Sequence, residues 1–228
     1  MSSLLQDIRA VVFDAVGTVI EPYPRAADVY AEVGRRYGSG LTSPEIARRF
    51  AIAFAQEEEW DRKRGFRTDE GREQQRWQRI VAAVLDDTTD PAACFRDLFT
   101  HFGRPEAWRC LRDAAATIQR LAAGGYKLAL ASNYDRRLHA VVAGLPALKL
   151  FRHVVISSEI EWRKPAPPFF EAVCNVLGLP AEAIVYVGDN LVNDYQGACQ
   201  VGMRAILLDP RKEAQLPIIR LTSLSELL

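Results

Sequence analysis

Residues 11–22 read VVFDAVGTVIEP, and this stretch decides the fold. A run of apolar side chains, of the kind that fills a buried strand, ends abruptly on the carboxylate of Asp14. Gly17 and Thr18 follow and predict a tight turn, because glycine adopts backbone angles that other residues disfavour. We therefore treat Asp14 as a candidate functional residue, with a solvated strand end as the alternative interpretation.

Five short apolar runs predict the strands of one sheet. Each run is continuously apolar rather than alternating, which is typical of parallel strands that are covered on both faces. Amphipathic stretches with helical character separate the later four runs. This alternation of strand and helix predicts an α/β fold with a doubly wound parallel, Rossmann-like sheet. The five runs are residues 10–14, 127–133, 153–158, 183–189 and 204–209.

Most of these runs end in polar residues, and three of these ends carry candidate site residues. Asp14 ends the first, Ser132 and Asn133 end the second, and Asp189 ends the fourth. In open α/β sheets, ligands bind in the crevice outside the carboxyl ends of the strands. The sequence therefore predicts a single crevice on which these polar side chains converge.

The segment between the first two runs has helical periodicity and little strand signal. We therefore expect a core domain formed by residues 1–20 and 105–228, with an all-helical domain, residues 21–104, inserted after the first strand. Trp60 and Trp77 are expected in the interior of this insert. Five insert arginines are candidates to contact an anionic substrate, although most are expected on solvated helix faces: Arg48, Arg49, Arg62, Arg64 and Arg67.

Composition narrows the class of protein. The chain has 228 residues and a formal net charge of zero, which does not favour a nucleic-acid partner. No apolar run reaches the roughly 18 residues of a membrane helix, and the first residues lack the pattern of a signal peptide. The four cysteines are widely spaced, which favours free thiols over a zinc site or disulfides. We expect a cytoplasmic protein that does not enter a membrane.

Four motifs follow one another along the chain: FDAVGTV at 13–19, SNYD at 132–135, RKPAPPFF at 163–170 and VGDNLVND at 187–194. Their order, with an insert after the first, resembles that of the haloacid dehalogenase-like hydrolase superfamily, and the resemblance covers essentially the whole chain. The later motifs are most similar to the branch named for haloacid dehalogenase-like hydrolase domain-containing protein 3. The resemblance implies a Rossmann-like core, a helical cap and a hydrolytic activity.

The resemblance also implies a nucleophile and a Mg²⁺ site. Asp14 would attack phosphorus and form an aspartyl phosphate, which divides one difficult displacement into two steps. Two carboxylates at one strand edge repel each other unless a cation lies between them. The implied Mg²⁺ ligands are the side chains of Asp14, Asp189 and Asp194 and the backbone carbonyl of Val16. For Asp194, a plain helix-start role stays open.

The remaining implied site residues surround the nucleophile. Lys164 would stabilise the charge that develops on the phosphoryl group, and the Ser132 hydroxyl would donate to a phosphoryl oxygen. Asn133 would help to shape the pocket as a catalytic and substrate-binding residue. Gly17 and Thr18 would bind substrate from the turn after the nucleophile. An ordinary surface lysine and a turn-capping serine are the alternatives at these positions.

Val16 departs from the pattern of phosphatases in the superfamily. They usually carry a second aspartate at this position, which protonates the leaving group and then activates the hydrolytic water. A valine side chain cannot transfer a proton, and a positioned acid–base group is worth about 10²- to 10⁴-fold in rate. The branch named above often lacks this aspartate as well.

Three hypotheses about function remain open on the sequence. The first is a Mg²⁺-dependent phosphatase with weak activity or a need for good leaving groups, such as aryl or acyl phosphates, and we favour it because Asp189 and Asp194 are retained. The second is a metal-independent 2-haloacid dehalogenase, and the third is a catalytically quiet protein that binds Mg²⁺ and phosphate. The expected substrate is a phosphorylated small metabolite. The sequence determines neither its identity nor the oligomeric state.

Overall fold

A computed structural model describes residues 3–212 and 217–228. Its strands are β1 (Ala10–Phe13), β2 (Ile20–Pro22), β3 (Trp108–Cys110), β4 (Lys127–Ser132), β5 (His153–Ile156), β6 (Ile184–Gly188), β7 (Arg204–Leu208) and β8 (Arg220–Leu221). Its α-helices are α1 (Ala26–Arg36), α2 (Ser43–Lys63), α3 (Glu70–Val84), α4 (Pro91–His101), α5 (Ala114–Ala123), α6 (Arg137–Gly144), α7 (Ser157–Ile160), α8 (Pro167–Leu177) and α9 (Gly197–Gln200). A π-helical turn, Leu191–Gln196, precedes α9.

The predicted α/β fold is confirmed. Six strands form one parallel sheet in the order β5-β4-β1-β6-β7-β8, and helices flank it. All five predicted runs contribute a strand, and the short β8 adds a sixth at the edge. The third predicted run differs in one detail, because β5 ends at Ile156 and the two serines of its run begin α7.

Strand β1 lies at the topological switch point of the sheet. It pairs in parallel with β4 on one side and with β6 on the other. Val11 and Phe13 pack into the core on one face, whereas Ala10 and Val12 pack into the core on the opposite face. Because both faces are covered, the strand has the continuously apolar sequence that predicted it. Its carboxyl end opens at the point where such sheets bind ligands.

Four helices, α1–α4, form a helical insert at residues 26–101. They share an apolar core of their own, to which Ile46, Ile80 and Leu98 contribute. The antiparallel pair of β2 and β3, which the sequence did not predict, joins this insert to the sheet, because the chain enters through β2 and leaves toward β3. The predicted boundary at 20/21 falls within β2, and the one at 104/105 falls a few residues before β3. Residues 1, 2 and 213–216 of the predicted core domain lie outside the described residues.

Candidate active site

Asp14 is the first residue after β1, and it lies buried between the ends of β4 and β6. Its backbone N–H donates to the carbonyl of Val187, which fixes the residue against β6. Its Oδ1 atom accepts hydrogen bonds from the Ser132 hydroxyl at 2.9 Å and from the Lys164 ammonium at 2.6 Å. The fold thus brings together three residues that are separated by 118 and 150 positions in the sequence.

Lys164 is buried at the centre of the site, with 2% of its surface exposed. Its ammonium donates to Asp14 Oδ1 at 2.6 Å, to Asp194 Oδ1 at 2.5 Å and to the Tyr186 hydroxyl at 2.9 Å. Burial alone would lower the pKa of Lys164, but the carboxylates of Asp14 and Asp194 outweigh burial and raise the pKa well above its usual value. Lys164 is therefore a fixed positive charge.

Asn133 holds the backbone of Lys164 rather than a catalytic atom. Its side-chain Oδ1 accepts from the Lys164 N–H at 2.7 Å, and its Nδ2 donates to the Lys164 carbonyl at 3.1 Å. This two-point contact joins the end of β4 to the irregular segment before α8. The geometry gives Asn133 a positioning role. Asn133 also lines the adjoining cavity, and the catalytic and substrate-binding role implied by the resemblance stays a prediction.

Gly17 and Thr18 support Asp189. The φ angle of Gly17 is +90°, and a Cβ atom at this position would overlap the Asp189 carboxylate. The buried Thr18 hydroxyl lies 3.4 Å from Asp189 Oδ1 as a weak donor. The turn after β1 therefore needs glycine for close approach. Both residues contact a site carboxylate, and neither belongs to the wall of the cavity that adjoins the site.

Asp194 lies in the π-helical turn that follows β6. Its Oδ2 accepts from the Asn190 N–H at 2.9 Å, while the Asn190 side chain accepts from the next backbone N–H groups, including that of Asn193 at 2.8 Å. A Cβ atom at Gly188 would overlap the Asp194 side chain, so the end of β6 must also be glycine. The turn thereby presents a buried carboxylate to Lys164.

Three carboxylates share this small space. One oxygen each of Asp14, Asp189 and Asp194 can be chosen so that all lie within 4.8 Å of one another. Asp189 keeps a solvent-exposed edge, but loss of surrounding water and repulsion from Asp14 and Asp194 raise its pKa to about 7. Burial raises the pKa of Asp194 to about 6, although Lys164 opposes this shift. The cluster therefore carries more negative charge than Lys164 alone can balance.

A cavity of about 390 Å³ extends from these carboxylates to the helical insert. Val16 lies in its wall, and the Arg48, Arg49, Arg62, Arg64 and Arg67 side chains proposed as substrate contacts do not. Arg49 instead pairs with Asp86 and Arg62 with Glu59, both at the surface. Trp77 lines the cavity, whereas Trp60 is 37% exposed, so its predicted interior position is wrong. Nine residues of the wall are aromatic: Tyr30, Phe50, Phe54, Trp77, Phe95, Phe99, Phe102, Trp108 and Tyr134.

Sequence reasoning missed a second group of charges, most of them buried, beside the site. The insert cluster consists of Glu57, Glu58, Asp61, Arg72, Glu73, Arg76, Arg79 and Arg163. Arg163 is its contribution from the sheet side, and it contacts Glu73 and lies 3.3 Å from Glu58. Because Arg163 directly precedes Lys164, adjacent residues belong to two different charge clusters.

The comparisons with known proteins agree with this geometry. The model of the haloacid dehalogenase-like hydrolases matches residues 8–202. Haloacid dehalogenase-like hydrolase domain-containing protein 3 of Danio rerio is 28% identical over 217 residues, which cover 91% of this chain and 87% of that protein. The glyceraldehyde 3-phosphate phosphatase of Methanopyrus kandleri is 32% identical over 125 residues, which cover 51% of this chain and 54% of that protein.

Two solved structures illustrate the likeness in fold. The HAD-hydrolase YfnB of Bacillus subtilis, solved with bound magnesium, has a TM-score of 0.77 at 18% identity, with 96% of each chain covered. The L-2-haloacid dehalogenase of Xanthobacter autotrophicus has a TM-score of 0.75 at 20% identity, also with 96% of each chain covered. These likenesses concern the fold alone, but the family match covers most of the chain. The protein therefore belongs to the haloacid dehalogenase-like hydrolases.

Proposed function

We propose that this hydrolase is a Mg²⁺-dependent phosphatase that acts through an aspartyl phosphate on Asp14, with activity restricted to good leaving groups. The observation that carries the proposal is the excess of carboxylate over ammonium among Asp14, Asp189, Asp194 and Lys164. Such an excess is costly in a half-buried crevice unless a cation offsets it, and a bound cation would in turn attract the anionic phosphate of a substrate. The relative from Methanopyrus kandleri is named a phosphatase, which supports the same class of activity.

The donor set fits Mg²⁺. This ion prefers oxygen ligands and is usually held by one or two carboxylates together with substrate phosphate and water. Asp14, Asp189 and Asp194 supply carboxylate oxygens within 4.8 Å of one another. The Val16 carbonyl remains a predicted further ligand. When bound, Mg²⁺ would neutralise charge on the carboxylates and on the phosphoryl oxygens.

The first chemical step uses the free oxygen of the nucleophile. Ser132 and Lys164 both bind Oδ1 of Asp14, which leaves Oδ2 for attack on phosphorus. As the new O–P bond forms, the bond from phosphorus to the leaving oxygen breaks, and the electron pair departs with that oxygen. The Lys164 ammonium stabilises the charge on the phosphoryl group, and the Ser132 hydroxyl can turn to donate to it.

The second step returns Asp14 to its free form. A water oxygen attacks phosphorus, the bond between phosphorus and Asp14 breaks, and inorganic phosphate leaves. Val16 offers no side chain that could remove a proton from this water, nor one that could protonate the leaving group in the first step. Each lost proton transfer is worth about 10²- to 10⁴-fold. We therefore expect slow turnover and a long-lived phosphoenzyme.

We also propose that the helical insert is a cap domain, residues 21–104, on a core formed by 1–20 and 105–228. Its separate apolar core supports this division, and the cavity lies between its aromatic residues and the strand ends. A cytoplasmic location remains part of the proposal, supported by the four free cysteines. In the part of the chain that the structure describes, every helix is too short or too polar to span a bilayer.

A 2-haloacid dehalogenase is the second candidate. Val16 and the apolar cavity wall favour it, because displacement of halide needs neither a proton donor nor a polar leaving-group pocket. It gives no role to Asp189, and none to Asp194 beyond its hydrogen bonds with Lys164 and Asn190, although both carboxylates crowd Asp14. A catalytically quiet binding protein would retain the acidic site without turnover.

One set of assays separates these candidates. We expect Mg²⁺-dependent release of phosphate from aryl phosphates, and no halide release from L-2-chloropropionate in EDTA. Treatment with acetyl phosphate and Mg²⁺ should add one phosphoryl group to the intact mass, and Asp14→Asn should prevent it. Halide release without metal would replace the proposal with the dehalogenase. Absence of both adduct and turnover would favour the binding protein.

A further inference from the structure

We propose that the cavity binds the leaving group of the substrate, and that this group is an uncharged aromatic ring, so that the substrates are apolar aryl phosphate monoesters. The inference rests on the proposed phosphatase function. The cavity begins at Asp14 and Lys164 and continues between the insert and the sheet. Its volume of about 390 Å³ is near the lower end of the roughly 300–1,000 Å³ of small-molecule pockets.

The aromatic wall forms a continuous surface for a flat ligand. The ring of Phe50 lies 5.7 Å from Tyr30, 5.9 Å from Phe54 and 6.4 Å from Trp77, measured between centroids. The surface continues from Tyr30 through Phe102, whose ring lies 6.0 Å from Tyr30 and 6.0 Å from Trp108. Such spacings let a guest ring make edge and offset contacts with several hosts at once.

The three arginines of the wall are already paired with carboxylates of the protein. Arg76 pairs with Glu58 at 2.5 Å, and Arg163 pairs with Glu58 and Glu73. Arg137 donates to both carboxylate oxygens of Asp135, at 2.7 and 2.6 Å. A second anionic group on the substrate would have to break one of these buried pairs, which is costly. Sugar bisphosphates, nucleotides and carboxylated esters therefore do not suit this wall.

An aryl ester suits a site in which residue 16 is valine rather than the usual acid–base aspartate. When Asp14 attacks phosphorus, the breaking bond leaves its electron pair on the ester oxygen. An aromatic ring delocalises that negative charge, so the aryloxide can leave without a proton and take one from water later. An alkoxide cannot do this. The apolar side chain at residue 16 and the aromatic cavity thus favour the same leaving group, through independent observations.

The decisive substrates share leaving-group acidity but differ in shape and charge. We would compare phenyl phosphate with a fluorinated alkyl phosphate whose alcohol is as acidic as phenol. We expect kcat/KM at least about tenfold higher for the phenyl ester, because ring packing adds to binding. A second pair, 4-methylphenyl and 4-carboxyphenyl phosphate, should favour the uncharged ring by about tenfold.

Two variants test the wall itself. Phe50→Leu, and independently Phe54→Leu, should raise KM for phenyl phosphate severalfold, and by a larger factor than KM for acetyl phosphate, which carries no ring. Phe151→Leu is the matched control, because Phe151 is a buried phenylalanine that packs on Phe13 in the sheet core and lies outside the cavity. Thermal unfolding of each variant checks that the protein is folded at the assay temperature.

The outcomes separate this inference from the proposed function. If acetyl phosphate produces no adduct at Asp14 and no phosphate is released from aryl phosphates, both fall. If the adduct forms but the phenyl and fluoroalkyl esters react equally, the phosphatase stands and the aromatic specificity is overturned. Preference for the carboxylated ring, or equal effects of Phe50→Leu and Phe151→Leu on KM, would also overturn it.

Discussion

The active-site cluster and the insert cluster are both largely buried, although Asp189 in one and Arg79 in the other are exposed, and their charges balance differently. The insert cluster joins four carboxylates to four guanidinium groups, and each member has at least one partner of opposite sign. The active-site cluster sets the carboxylates of Asp14, Asp189 and Asp194 against Lys164. A balanced cluster holds a structure together, whereas an unbalanced one is completed by something that binds.

The two clusters lie side by side in space and in sequence. Arg163 belongs to one cluster and Lys164 to the other, and Asn193 of the π-helical turn donates to Glu58 of the insert at 3.3 Å. If the charge balance of a cluster determines whether it serves catalysis or stability, substitutions in the active-site cluster should lower activity. Substitutions in the insert cluster should lower the free energy of unfolding. Single substitutions in each cluster can test this separation.

Asp14→Asn should have the largest effect on activity. The amide keeps the shape of the side chain but is not a nucleophile, so kcat for aryl phosphates should fall by at least about 10³-fold. The free energy of unfolding in EDTA should not fall, because one of three mutually repelling carboxylates is removed. Steady-state kinetics and urea unfolding measure the two quantities. Turnover within tenfold of the wild type would exclude Asp14 as the nucleophile.

Asp61→Asn should show the opposite behaviour. Asp61 is 1% exposed and contacts Arg72, Arg76 and Arg163. Loss of its charge leaves buried guanidinium groups uncompensated, and we expect a loss of about 3–5 kcal/mol in the free energy of unfolding. The kcat of the folded protein should change far less than in Asp14→Asn. Urea unfolding and kinetics at low temperature provide the test.

Glu59→Gln is the matched control for this prediction. Glu59 lies on the same helix and pairs with Arg62, but both side chains are largely exposed, at 43% and 66%. An exposed pair contributes little, so the loss should stay below about 1 kcal/mol. Similar losses for Asp61→Asn and Glu59→Gln would contradict the distinction between buried and exposed pairs.

Val16→Asp should increase the negative charge of the active-site cluster, and it should nevertheless increase the activity of the enzyme. A fourth carboxylate in this crevice restores a proton carrier, so hydrolysis of alkyl phosphates should rise by about 10²-fold. The gain for aryl phosphates should be smaller, because their leaving groups need no proton. Val16→Asn keeps a similar shape without transferring a proton, and it should show no such gain. Equal gains in both variants would point to polarity rather than proton transfer.

The sheet and the strand-end residues could be predicted from the sequence because their signals are local. Continuous apolar runs, and the polar residues that end them, indicate buried parallel strands. These patterns alone predict that Asp14, Ser132 and Asp189 meet at one edge of the sheet. The role of Lys164 came from the resemblance, since its contacts reach across 150 positions. No sequence pattern around Lys164 indicates that its ammonium group is buried.

The rest of the site depends on long-range packing. Tyr186 resembles any apolar residue of β6, yet its hydroxyl accepts from Lys164. Phe50 and Phe54 have the spacing of a helix core, and only the docking of the insert makes them a cavity wall. Arg163 donates a hydrogen bond to Glu58, which is 105 positions away in the sequence. Periodicity shows which face of an element is apolar, but it does not show what that face meets.

The pH dependence of stability should give the smallest and most specific signal. In the metal-free protein the pKa of Asp189 is about 7 and that of Asp194 about 6, above the ordinary value near 3.8. Between about pH 5 and 7 the folded state therefore holds protons that the unfolded state has lost, so these groups make the free energy of unfolding decrease as pH rises. The lowered pKa of His101 acts in the opposite direction over the same range.

Urea unfolding in EDTA at several pH values should therefore compare the wild-type protein with Asp189→Asn. In the variant, the free energy of unfolding should decrease less, or increase more, as pH rises. Saturating Mg²⁺ should remove the difference in slope, because the ion displaces those protons. An identical pH profile for the two proteins in EDTA would mean that Asp189 is ionised throughout and that the active-site cluster is less strained than its geometry indicates.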